Sequence, residues 1–164
     1  MTLQEIGKQA QEVSRKLGIL GAEEKNQGLL KAAACLLEGQ EEILSANKAD
    51  MERGKASGMN QGLLDRLKLT PARIQAVADG LRQIAALEDP IGEVLSMKQR
   101  PNGLLIGQKR VPLGVIGIIY EARPNVTADA FGLCFKSGNA VILKGGSDAI
   151  ASNQAIVACL KQGL

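Results

Sequence analysis

Apolar residues recur every three or four positions through the first ninety residues and then gather into short continuous or alternating runs beyond Pro90. The chain therefore reads as a helical front followed by an α/β back. Thr2 with Glu5 three residues later is a capping-box signature, and Leu3, Ile6, Ala10, Val13 and Leu17 follow at helical spacing until Gly18. A second helix is predicted from about Ala22 to Glu38, with Leu29, Leu30, Ala33, Leu36 and Leu37 as its buried stripe and Gly39 as its stop. A third runs from about Gln40 to Ala56. Leu63, Leu64 and Leu67 suggest a short apolar turn, after which Thr70-Pro71, a cap with proline at the first helical position, opens a helix carrying Ile74, Val77, Leu81 and Ile84.

Val94–Arg100 and Leu104–Val111 flank Pro101-Asn102-Gly103, whose Asn-Gly pair signals a turn, so this segment reads as a β-hairpin. A lone two-stranded ribbon is marginal in water. It is either an ordinary surface hairpin or an arm that packs on another domain or subunit. From Leu113 the texture changes again. Leu113–Ile119 suits a strand buried on both faces of a parallel sheet, a helix of about Val126–Ser137 stops at Gly138, Ala140–Leu143 is a second buried strand, and Lys144-Gly145-Gly146-Ser147 turns into a last helix. The predicted organisation is helices over 1–90, a hairpin arm over 93–111 and a β-α-β-α core over 112–164. A sheet of two parallel strands cannot cover itself, so further chain is expected to supply its neighbours.

At 164 residues and 45% hydrophobic content the chain is long enough for one domain with a core of its own. The net charge of +3 is small, and aromatic content is 2%, with no Trp; this argues against nucleic acid as a partner, since the stacking platforms of single-strand binders are missing. With no histidine, a Ser-His-Asp triad and a His-ligated metal site are excluded within the chain. Cys35, Cys134 and Cys159 lack C-x-x-C spacing and read as reduced thiols of a cytoplasmic protein. No apolar run approaches the roughly 20 residues that span a bilayer, so no membrane partner is expected. Residues 1–100 hold 14 Lys or Arg and 14 Asp or Glu, so the positive excess falls wholly in residues 101–164, where an anionic ligand should be sought.

In an open parallel sheet, ligands gather beyond the carboxyl ends of the strands, here Tyr120–Asn125 and Lys144–Ser147. The second turn offers a cation, two glycines that let a ligand approach the backbone, and a helix start, features suited to ribose or phosphate; the alternative is a plain strand-to-helix loop with a solvent-exposed lysine. Gly114 and Gly117 lie inside the strand, so no G-x-G-x-x-G fingerprint is present, and Lys144-Gly145 stands in the wrong order for a P-loop.

The stretch Val111-Pro-Leu-Gly-Val-Ile-Gly-Ile-Ile-Tyr-Glu-Ala-Arg-Pro-Asn-Val-Thr127, with Lys136-Ser-Gly-Asn-Ala-Val-Ile-Leu-Lys-Gly-Gly-Ser-Asp148 and the earlier Ser45-Ala-Asn-Lys-Ala-Asp50, closely resembles the gamma-glutamyl phosphate reductase (glutamate-5-semialdehyde dehydrogenase) family of the aldehyde dehydrogenase superfamily. The resemblance implies an α/β fold: N-terminal helices, a hairpin arm and the first β-α-β-α of a Rossmann-type cofactor domain. It implies a full-length oxidoreductase of proline biosynthesis that reduces L-glutamyl 5-phosphate to L-glutamate 5-semialdehyde with NADPH, through a thioester on a cysteine of a C-terminal catalytic domain. None of the three cysteines here matches that nucleophile, so this chain alone is expected to be inactive; the alternative is a non-catalytic cofactor-binding or oligomerisation fragment. By the same resemblance Asn125 is the oxyanion donor, though it could equally cap the next helix. Lys144, Gly145, Gly146 and Ser147 form the NADP(H) turn, with Ser147 standing where NAD-preferring relatives carry a Glu. Arg123 either pairs with the substrate's phosphate or carboxylate or is a surface arginine. Homo-oligomerisation through the hairpin arm is a further expectation.

Overall fold

The computed structural model describes residues 2–164. Five helices come first: α1 (Leu3–Leu17), α2 (Ala22–Glu38), α3 (Gln40–Ala56), α4 (Gln61–Leu67) and α5 (Pro71–Ala86). Then follow β1 (Val94–Gln99), β2 (Leu105–Lys109), β3 (Val115–Ile119), α6 (Asn125–Lys136), β4 (Ala140–Lys144), a 3-10 turn at Ser147–Ala149, and α7 (Ile150–Gln162).

Local chemistry sets these boundaries. At the head of α1 the Glu5 amide donates to Thr2 Oγ1 at 3.3 Å and the Thr2 amide to Glu5 Oε2 at 2.7 Å, the reciprocal pair of a capping box. Thr70 Oγ1 accepts from the Arg73 amide, with Pro71 at the first helical position of α5. The segment read as a Leu-rich turn is instead the short helix α4, because Asn60 caps it through the Leu63 amide at 2.9 Å. At the far end of α6, Gly138 is left-handed, its amide donates to Phe135 O and that of Asn139 to Cys134 O, which closes the helix in a Schellman motif.

The core lies between helices. Leu29, Ala33 and Leu36 of α2 meet Ile74, Ala78 and Leu81 of α5, with Phe131 and Phe135 of α6 and Ile156 and Leu160 of α7 against them. The two Phe rings stack with centroids 5.4 Å apart. Two polar side chains of α3 fasten this cluster to the rest. Asn47 Nδ2 donates to Leu67 O at 2.8 Å while its Oδ1 accepts from the Leu69 amide at 2.8 Å, which fixes the exit of α4. Asp50, wholly buried, accepts from the Ser152 amide at 2.7 Å and from Ser152 Oγ at 2.6 Å, so it caps the first turn of α7 from another helix. A second charged joint ties Lys25 of α2 to Asp89, while Lys136 Nζ donates to Ala85 O at 3.0 Å at the carboxyl end of α5.

Burial departs from the sequence expectation in α2 and in the parallel strands, and it is incomplete along α1. Leu30 points outward from α2, because the stripe that meets α5 is Leu29, Ala33 and Leu36. Along α1 no residue is fully buried: its apolar face rims a groove of about 560 Å³ over β4 and the ends of α6 and α7. The two strands expected to be buried on both faces are not; β3 has no buried residue and β4 only Ala140. They pair in parallel from Val115↔Ala140 to Ile119↔Lys144 as a two-stranded sheet, which leaves the outer edge of β3 and much of its surface uncovered. The antiparallel hairpin β1–β2 forms as expected and turns at Pro101–Gly103, with the Gly103 amide bonded to Arg100 O at 2.9 Å; its strand residues are almost all exposed.

Candidate functional site

Parallel pairing of β3 and β4 brings the two turns singled out in the sequence side by side at the carboxyl end of the sheet. The Tyr120 amide continues the ladder by donating to Lys144 O at 3.1 Å. Beyond it the chain tightens, with Arg123 N bonded to Glu121 O at 2.8 Å and Val126 N to Arg123 O at 3.0 Å, and enters α6 at Asn125.

A buried relay supports both turns. Tyr120 Oη donates to Thr127 Oγ1 at 2.6 Å, and Thr127 Oγ1 to Asn153 Oδ1 at 3.0 Å, so β3, α6 and α7 are linked through three side chains. Gly145 sits directly on this relay: a Cβ there would collide with Asn153 Nδ2 and stand 3.2 Å from the Tyr120 ring. Its smallness thus serves packing within the chain, a reason that differs from the ligand approach expected of it. Lys144 and Ser147 are exposed, and among the described residues neither side chain has a hydrogen-bond or ion-pair partner.

Arg123 and Asn125 line a different opening. A pocket of about 420 Å³ lies between the α4–α5 corner and the β3–α6 turn; Arg66, Lys68, Arg73 and Asp129 share its wall with them. Arg73 is committed, donating to Asp65 O at 2.5 Å and Lys68 O at 2.7 Å and pairing with the Asp65 carboxylate. Arg66, Lys68 and Arg123 form no ion pair among the described residues. Pro124 occupies the N-cap position of α6, so Asn125 is not the cap; its Nδ2 donates to Asp129 Oδ2 at 3.2 Å, which leaves the second amide hydrogen free. Burial pushes the Asp129 carboxyl above the ordinary carboxylate range, against the pull of that amide. The structure thus brings Arg123 and Asn125 together and keeps Lys144–Ser147 outside their pocket. Arg66, Arg73 and Asp129 escaped the sequence reading, because the first two stand more than fifty residues before Asn125 and only the packing of α5 on α6 unites them.

Cys134 and Cys159 are buried, and burial pushes both thiols up, helped at Cys159 by Glu42 and Cys35. Such thiols are poor nucleophiles near neutral pH. Among the described residues no cluster of His, Cys, Asp or Glu could hold a metal ion, and no helix is long and apolar enough to cross a membrane.

No family model matches the chain. Its sequence is 56% identical over 163 residues to the gamma-glutamyl phosphate reductase of Lachnospira eligens, covering 99% of this chain and 39% of that protein. It is 60% identical over 156 residues to that of Moorella thermoacetica, covering 95% and 37%. The crystal structure of gamma-glutamyl phosphate reductase from Thermotoga maritima superimposes with a TM-score of 0.96 at 42% identity, over 99% of this chain and 39% of the other. A salicylaldehyde dehydrogenase from Pseudomonas putida G7, at 21% identity and a TM-score of 0.69 over 95% of this chain and 30% of its own, shares the fold. The chain spans about two fifths of the length of the curated relatives it matches.

Proposed function

We propose, from the premise that this chain belongs to the gamma-glutamyl phosphate reductase family, that it supplies part of the cofactor and substrate sites of an enzyme reducing L-glutamyl 5-phosphate to L-glutamate 5-semialdehyde with release of phosphate. Residues 1–164 then form the front of an NADP-binding domain, with 1–90 helical, 93–111 an arm for a neighbouring domain or subunit, and 112–164 the β-α-β-α core. The observation that carries the reading is the cation-lined pocket in which Arg123 and Asn125 stand together at the end of β3.

In this reading the free Nδ2 hydrogen of Asn125 donates to the acyl oxygen, whose negative charge grows as the carbonyl carbon is attacked and later reduced. Asp129 holds the other hydrogen, so the amide is oriented before substrate arrives. Arg123 neutralises an anionic end of the substrate. The attacking thiolate comes from outside this chain; the raised thiols of Cys134 and Cys159 favour a packing role for them.

The turn at the end of β4 fits a phosphorylated nucleotide. An unpaired lysine ammonium and a serine hydroxyl face solvent there, and the sequence Lys144–Ser147 contains no carboxylate. Lys144 would hold the ribose or its 2′-phosphate and Ser147 would add a neutral hydrogen bond. A nicotinamide nucleotide held by this turn would supply the hydride. A cytoplasmic location and self-association through the hairpin accompany this reading.

In the full-length enzyme, Ser147→Glu should weaken NADPH more than NADH through like-charge repulsion, and Lys144→Ala should weaken both, NADPH more. A charge-assisted contact that the bound nucleotide itself would partly shield from water moves the preference by about one to two powers of ten. An unchanged ratio of kcat/KM for the two cofactors in both variants would refute the assignment of this turn. The 164-residue chain by itself should show no turnover with acyl phosphate and NADPH.

A further inference from the structure

One feature of the cationic pocket is unexplained by a site for anions alone. Asp129 is a half-buried carboxylate on its wall whose side chain, among the described residues, is bonded to the neutral amide of Asn125 alone. No cation pairs with it among the described residues, although three unpaired cations, Arg66, Lys68 and Arg123, line the same space. An unpaired carboxylate in such a place is costly, and its raised pKa reflects that. It is therefore poised to be relieved by a cation that arrives with a ligand.

We propose that the Asp129 carboxylate binds the α-ammonium of the γ-glutamyl substrate, making it the residue that selects an amino acid over the corresponding simple dicarboxylate derivative. The assignment rests on the reductase reading above. Charge count agrees: with Arg73 and Asp65 paired to each other, three free cations against the one free carboxylate complement a ligand that carries a carboxylate, a phosphate and a single ammonium. Reach agrees as well. Four bonds of about 1.5 Å separate the amino nitrogen of a glutamyl group from its C5, so the two lie about 5 Å apart when extended. An acyl oxygen on the free hydrogen of Asn125 leaves the ammonium that far from the reacting carbon, and Asp129 Oδ2 is 3.2 Å from the same amide nitrogen.

The competing role for Asp129 is to orient Asn125 and nothing more. The reverse reaction separates the two. With phosphate and NADP, the full-length enzyme would oxidise L-glutamate 5-semialdehyde or 5-oxopentanoate, which lacks the amino group; each aldehyde loses hydride to the nucleotide and gains phosphate as the acyl phosphate. Asp129→Asn removes the charge but keeps an acceptor for the Asn125 amide. The expected result is a loss in kcat/KM about tenfold or more greater for the semialdehyde than for 5-oxopentanoate, with the excess carried by KM. An equal loss on both aldehydes, carried by kcat, would overturn the proposal in favour of orientation. No loss on either would overturn it too. A wild-type enzyme that oxidises neither aldehyde would instead overturn the reductase reading itself, and this assignment with it.

Discussion

Helices α2 and α5 and the strands of the two small sheets are written in similarly apolar sequence, yet they meet opposite fates. Leu29, Leu36 and Leu81 are at most 1% exposed, while Leu105, Ile106 and Ile119 are 61%, 47% and 82% exposed. Apolar patterning reports the capacity of an element to be covered; whether it is covered depends on a facing element within reach. The helices find theirs in one another. The strands have one neighbour each, so half of every ladder stays open, and the faces of β1, β2 and β3 stay largely exposed while α1 and α6 partly cover β4.

Four substitutions probe that contrast, read by chemical denaturation of the 164-residue chain. Leu29→Ala should cost the most, about 3 kcal/mol, since it opens a cavity among α2, α5 and α6. Asp50→Ala should cost about 2–3 kcal/mol, because the amide and hydroxyl of Ser152 then lie buried without an acceptor. If the cost of Asp50→Ala falls below that of an average surface change, the α3–α7 joint is not a fastening. Asp89→Asn should cost about 2 kcal/mol at neutral pH by leaving the buried Lys25 without a counter-ion. Burial works against the charge of Asp89, but the hydrogen bonds from Lys25 and the Ile91 amide outweigh it and hold the carboxyl below its usual range. A lowered folded-state value means that this stabilisation is present above the ordinary carboxylate pKa and disappears as pH falls through the folded value. The gap between wild type and Asp89→Asn should therefore close in acid, and a gap that persists at the lowest accessible pH would contradict the ion-pair account. Ile106→Ala should change stability by less than about 0.5 kcal/mol. A cost above about 1 kcal/mol, especially one that depends on protein concentration, would mean that the ribbon is buried between copies.

Where the sequence was legible, the signals were local. Thr2 with Glu5, Thr70 with Pro71 and the glycine at 138 mark ends that the backbone places as expected, and α2 and α3 match their predicted limits. Local signals failed where the deciding partner was distant or a cap was overlooked: Asn60 made a helix of Gln61–Leu67, and Leu30 lost its place in the core to Leu29, Ala33 and Leu36 on the face that meets α5. The strands were overrated because a run such as Val115–Ile119 states what it could bury and nothing about what lies opposite. The candidate site divides the same way. Arg123 and Asn125 followed from the end of a strand, whereas Asp129 is legible only once α5 packs against α6 and closes a wall around it.

The buried contact from Asp50 to the start of α7 constrains any exchange of the loop Lys144–Ser147 between relatives. The turn Lys144–Ser147 leads through the 3-10 turn Ser147–Ala149 into α7, and the first α7 amides are held by a side chain just over a hundred residues earlier. A transplanted loop would arrive without its anchor. A graft that carries Asp50 and Ser152, together with Tyr120 and Asn153 beneath Gly145, would transfer the shape of the loop as well as its letters.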